Sequence, residues 1–187
     1  QEFYEAALTL DKHAWRAQIG LAELNLLDGD TNGAVEKFSA IIKATESMPQ
    51  LPERNVAKVR LLQLELNGGK TRGFTAINGK GMHDGYRREA IVVGNANYDV
   101  LASLPNPVRD ATAVSAALIE LGFDRVTLGE NLGVAEMREL IERAETASNS
   151  SDFLLIYYAG HAVESRGANL LLPVDVDPET GNGVHSD

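Results

Sequence analysis

The sequence predicts an α/β fold: an open parallel sheet with helices on both faces, in three layers αβα, preceded by an α-helical repeat segment. Three observations carry this. Apolar residues recur at helical spacing through residue 66, whereas from Arg88 onward short continuous apolar runs alternate with amphipathic stretches. Unbroken apolar runs are the mark of parallel strands buried on both faces. The helical part also matches itself at an offset of 34 residues, setting Tyr4 on Phe38, Ala7 on Ile41 and Leu8 on Ile42.

The first element is therefore a helical repeat over residues 1–66. Its period and its pattern, "WRAQIGLAELNLLDGDTNGAVEKFSAIIKA", resemble a tetratricopeptide repeat. Leu21 and Ala22 supply the small-residue contact of one helix, Gly29-Asp30 the turn, and Ala34, Phe38 and Ile41 the inner face of the next. Trp15 comes earlier than that family's usual tryptophan, and Glu46 stands where a closing proline is common. Such units bury their apolar faces only by stacking, so a preceding repeat is expected upstream. A plain helical hairpin is the other reading.

Residues 67–87 read as a linker in which the apolar patch "FTAI" forms at most a small hairpin. Two phosphate-loop look-alikes fall here and both fail. "GGKT" would place its earlier glycine at Leu64, inside a helical pattern, and "GKGMHDG" has one residue too many and no preceding strand. Lys70, Arg72, Lys80, Arg87 and Arg88 make the segment a candidate processing site for a basic-specific peptidase.

The third element, residues 88–187, alternates strand and helix. "AIVVG" (90–94) is a strand. "PVRDATAVSAALIELGF" (107–123) is a helix with Val108, Ala111, Val114, Leu118 and Leu121 on one face, Asn106 as its cap and Pro107 at its first position. "RVTL" (125–128) is a strand. The next helix turns Val134, Met137, Leu140, Ile141 and Ala144 inward, with Gly133 and Glu136 framing its start, and "FLLIYY" (153–158) is the third strand.

Composition narrows the function. A formal charge of −10 lacks the clustered Lys and Arg of a nucleic-acid binder. No run reaches the roughly 18–20 apolar residues of a membrane span, and the start shows no basic-then-apolar signal. A cytoplasmic location is expected. With no cysteine there is neither a disulfide framework nor a thiolate metal site, and His13, His83 and His185 have no zinc-like spacing. The chain starts at "QEFYEAA" and stops at "GNGVHSD", and both ends read as cuts through a longer protein.

In open α/β sheets functional groups gather outside the carboxyl ends of the strands. His161 follows the third strand by two small residues, and Asp110 lies in the first turn of the helix after the first strand. Topology puts both on one rim.

Here the motifs carry a resemblance. "REAIVVGNANYDVLASLPNPVRDATAVSAALIELGF", "SSDFLLIYYAGHAVE" and "NLLLPVDVD" occur in the order found in caspases, metacaspases and bacterial caspase-like peptidases (clan CD, peptidase family C14). The likeness covers about residues 88–178, the large-subunit portion. It implies a cysteine-type endopeptidase acting on a protein or peptide substrate. His161 would work with a cysteine at the end of the next core strand, which falls outside this chain, and the amide of residue 162 would serve the oxyanion. The family usually has glycine there and this chain has Ala162. If that position required a left-handed backbone, alanine would cost roughly 1 kcal/mol. A pseudo-enzyme or a buried structural histidine is the bland reading.

The resemblance also bears on specificity. Caspases that cut after aspartate carry an arginine where Leu104 stands, whereas metacaspase-like "NDA", here "RDA", points to Asp110 as the carboxylate of a pocket for Arg or Lys. Asp110 equally complements a helix dipole. No cofactor is expected. Calcium held by Asp175, Asp177 and Glu179 is the one metal to consider, because some metacaspases bind it there. The helical repeats would recruit a partner or restrain the peptidase. The alternative is a noncatalytic caspase-like scaffold for protein assembly.

Overall fold

The computed structural model describes residues 1–11, 13–49, 51–66, 72–82, 84–165 and 167–177. His83, Lys70, Glu179 and His185 lie outside them. The chain divides into two units, Gln1–Thr71 and Arg72–Asp187.

The first unit holds α1 (Glu2–Leu10), α2 (Trp15–Leu27), α3 (Thr31–Ala44) and α4 (Pro52–Leu66), each packed on the next. Ala22, Ala34, Phe38 and Ile41 are completely buried at its centre, with Trp15, Leu26 and Ile42 packed around them. Gly29 takes φ +78 to close α2, a conformation that L side chains rarely adopt. Asp30 then caps α3 by accepting the Gly33 N–H at 2.9 Å.

The second unit is built on a sheet of β1 (Gly73–Asn78), β2 (Arg88–Gly94), β3 (Arg125–Glu130) and β4 (Phe153–Ala159), in the order β1-β3-β2-β4. β2 pairs parallel with both β3 and β4, and β1 runs antiparallel to β3 from Gly73↔Glu130 to Asn78↔Arg125. α5 (Pro107–Glu120) links β2 to β3, and α6 (Val134–Ser150) links β3 to β4. A separate hairpin, β5 (Ala162–Ser165) with β6 (Ala168–Leu171), follows β4.

Successive strand residues face opposite sides, so β2 sorts its own core. Ile91 and Val93 pack under Leu140 and Leu132 on the α6 side, and Gly94 meets Pro107 and Ala111 of α5 on the other. The two helices cover opposite faces because the chain leaves β2 in one direction and returns past it in the other. In open α/β sheets such a reversal is where a crevice forms, here beyond the carboxyl ends of β2 and β4.

Several sequence expectations need correction. "FTAI" forms no connector hairpin: it lies in β1, where Thr75 and Ile77 are buried, because β3 has a free side for an antiparallel neighbour. α5 buries Ala111 and Leu118 as expected, but its inner face also takes Thr112, Ser115 and Ala116, while Val108 and Val114 are only partly buried and Leu121 is exposed. The close approach at Gly94 leaves no room for larger groups. Asn106 occupies the cap position without a side-chain cap bond, and Ile141 of α6 is exposed while Ala147 is buried. β4 is not covered on both faces: among the described residues it is an edge strand, with Phe153 and Ile156 more than half exposed.

Candidate active site

The crevice is assembled from the loops that follow β2, β3 and β4, and two asparagines hold those loops together. Asn95, fully buried, accepts the Leu132 N–H at 2.9 Å and donates to the Leu172 carbonyl at 3.2 Å. Asn131 accepts the N–H groups of Ala96 and Asn97 at 3.0 and 2.9 Å. It does so at φ 50, which asparagine tolerates better than most residues. Each asparagine stands one residue past its strand, after Gly94 and Glu130. That repeated position is the sequence signal the motif reading passed over.

His161 lies at this edge, half-buried, neither sealed in apolar packing nor at the opposite end of the sheet. Its Nε2 is 2.8 Å from the Ala102 carbonyl, in the loop between β2 and α5. A carbonyl oxygen only accepts, so Nε2 carries the proton and Nδ1 keeps the lone pair when the ring is neutral. The ring packs on Tyr98 with centroids 4.6 Å apart. The His161 N–H donates to Tyr98 Oη at 2.7 Å, and its carbonyl accepts from Leu172 N–H at 3.0 Å.

Tyr158 reaches the same point from β4. Its hydroxyl lies 3.2 Å from that of Tyr98, 2.9 Å from the Leu172 carbonyl and 3.0 Å from the His161 carbonyl. Burial, with the Tyr98 hydroxyl second, pushes the Tyr158 phenol well above its ordinary range, so it stays a donor at any physiological pH. Gly160 fits beneath the pair: a Cβ there would come within 2.5 Å of one hydroxyl and 2.7 Å of the other.

Ala162 opens β5. The bond from Leu172 N–H to the His161 carbonyl makes Ala162↔Leu171 a non-hydrogen-bonded pair, which turns the Ala162 N–H away from β6. Its φ is negative, since Asn131 is the only non-glycine with positive φ among the described residues. The left-handed strain considered for alanine does not arise.

Asp110 stands exposed in the first turn of α5, at the same edge, its backbone N–H on the Asn106 carbonyl at 2.9 Å. No hydrogen bond or ion pair joins it to His161. Leu104 packs with Tyr98, Leu172, Val174 and Val176. Asp175 accepts the Val134 N–H at 2.8 Å and so serves the N-terminus of α6, where Glu136 accepts the Gly133 N–H at 3.1 Å. Among the described residues no three His, Cys, Asp or Glu side chains cluster as a metal site, and no helix is long and apolar enough to cross a membrane.

The caspase domain family matches residues 87–184, just over half of the chain. This chain belongs to the caspase domain family. It is also similar to human mucosa-associated lymphoid tissue lymphoma translocation protein 1, with 33% identity over 86 residues. That match takes in 46% of this chain and 10% of the relative, so the chain spans about a tenth of the relative's length. No solved structure matches. Unit two is thus a caspase-like peptidase domain or a relative of one.

Proposed function

We propose that this chain carries the histidine half of a cysteine endopeptidase. The observation behind the reading is the 2.8 Å bond from His161 Nε2–H to the Ala102 carbonyl, which leaves Nδ1 as the proton acceptor. The 187 residues contain no cysteine, so the thiolate comes from sequence outside them. The thiolate attacks the scissile carbonyl carbon, and the carbonyl oxygen takes the negative charge. The Ala162 N–H, unclaimed by β6, is the donor for that oxyanion. The imidazolium then gives its Nδ1 proton to the leaving amine as the C–N bond breaks, and water hydrolyses the thioester with the neutral ring as base.

Specificity for Arg or Lys at the residue before the cut rests on Asp110, an exposed carboxylate in the first turn of α5 whose side chain has no hydrogen-bond or ion-pair partner among the described residues. The apolar packing of Leu104 is in keeping with the absence of an acid-binding arginine at that position. The helical unit is read as tetratricopeptide-like and as the part that recruits a partner.

The test is hydrolysis of fluorogenic peptides by the intact protein. Cleavage after Arg or Lys, abolished by His161→Ala and lost for basic residues in Asp110→Ala, is the expected result. Unchanged cleavage in H161A overturns the peptidase reading, and unchanged Arg cleavage in D110A overturns the pocket. No cleavage of any peptide leaves the noncatalytic scaffold.

A further inference from the structure

The hydroxyls around His161 form a directed chain. Tyr98 Oη accepts the His161 N–H, so its own proton must go elsewhere, and the oxygens in reach are Tyr158 Oη at 3.2 Å and the Leu172 carbonyl at 3.4 Å. The Tyr158 proton goes to the Leu172 or the His161 carbonyl, at 2.9 and 3.0 Å. The polar atoms of the His161 backbone are therefore held from two sides at once: the N–H by Tyr98, which follows β2, and the carbonyl by Tyr158 of β4 and by the Leu172 N–H just past β6.

One loop supplies both grips on the β2 side. Tyr98 takes the backbone N–H and, four residues on, Ala102 takes the ring Nε2–H. The Tyr98 ring at 4.6 Å bars the imidazole from swinging toward it. Neither phenol is placed to touch a reacting atom, so both act through His161.

We propose that Tyr98 and Tyr158 are positioning residues that fix the tautomer and aim of His161, in a way that rests on the peptidase reading above only for its effect on rate. Removing the Tyr98 hydroxyl leaves a half-buried N–H without its acceptor and frees the 95–106 loop to shift against the ring. The Ala102 bond then weakens and the proton redistributes between Nε2 and Nδ1. A displacement near 1 Å at a reacting group costs on the order of 100-fold in rate.

The experiment compares Tyr98→Phe, Tyr158→Phe and the neighbouring Tyr157→Phe in the intact protein. Phe keeps the aromatic packing, and an unchanged dispersion of backbone amide resonances verifies the fold. The imidazole nitrogen shifts of His161 report its tautomer directly. The expected result is an Nε2–H tautomer in wild type and Y157F, a mixed tautomer in Y98F, and a kcat lowered on the order of 100-fold in Y98F with KM little changed. An Nε2–H tautomer retained in both Y98F and Y158F overturns the proposal, as does a fall in Y157F equal to that in Y98F. If the intact protein cleaves nothing, the peptidase reading fails while the nitrogen shifts still decide this one. Should Y98F lose its amide dispersion, Y158F, whose bonds are shared among several acceptors, supplies the same comparison.

Discussion

Arg60 and Glu23 meet through two bonds of 2.7 Å each, Nε to Oε1 and Nη2 to Oε2, in the core of the helical unit, with the arginine only 2% exposed. Their helices, α4 and α2, are 37 residues apart in sequence. A planar guanidinium matched to a carboxylate fixes both distance and rotation. Breaking a buried pair by removing one partner leaves a charge without compensation. Glu23→Ala is therefore expected to destabilise this unit by about 3–5 kcal/mol. The sole tryptophan, Trp15, packs on the same core, so urea unfolding followed by its fluorescence isolates the effect.

Gly94 tests how closely α5 sits on the sheet. A Cβ there would lie 2.5 Å from the Pro107 carbonyl oxygen and 2.9 Å from Ala111 Cβ, and backbone yields less than a side chain. Gly94→Ala is expected to cost about 1–3 kcal/mol in urea midpoint stability. It is also expected to disturb His161, since the loop displaced begins at the next residue.

Asn95 carries the second loop and can be tested by charge as well as by size. Asn95→Ala strands the Leu132 N–H, at an expected cost of about 1–3 kcal/mol. Asn95→Asp keeps the shape but places a carboxylate against carbonyl oxygens. Burial and those oxygens raise its folded pKa above the unfolded value, so the N95D defect should shrink as pH falls below neutrality. Equal defects at pH 7 and pH 4.5 would contradict the hydrogen-bond directions given above.

Asp84 gives a pH dependence of opposite sign. The Arg88 guanidinium, bonded at 2.6 and 2.9 Å, holds its carboxyl near pH 2, below the ordinary value of 3.8, and the Tyr86 N–H adds to this. A depressed folded pKa means stability that is present above the unfolded pKa and lost as pH falls through the folded one. The stability difference between wild type and Asp84→Asn should therefore be constant above about pH 5 and close between pH 4 and pH 2. Asp84 is exposed, so added salt should reduce it.

The strands and helices of the second unit were legible because their patterns are local: "AIVVG", "RVTL" and "FLLIYY" all sit in β-strands. Ala34, Phe38 and Ile41 were legible for the same reason. What escaped depends on distance in space. Which face of α5 goes inward is decided by Gly94, a residue outside the helix. That β1 joins β3 depends on a partner about 50 residues away. His161 was found through its motif, whereas Tyr98, Ala102 and the two asparagines were not, since none bears a reactive group and Ala102 contributes only a carbonyl. Asp110 was placed at the rim by topology, and its bonding there could not be read from its neighbours in sequence.

The order β3-β2-β4 has a kinetic consequence. The bond from Asn95 to Leu172 closes a loop of 77 residues, and Tyr98 must await a histidine 63 residues downstream. Such distant pairings form late and slow refolding relative to helical chains. During refolding the imidazole should therefore reach its final environment only with the last cooperative step, on a timescale of milliseconds to seconds, after the helical unit has already acquired its tryptophan signal.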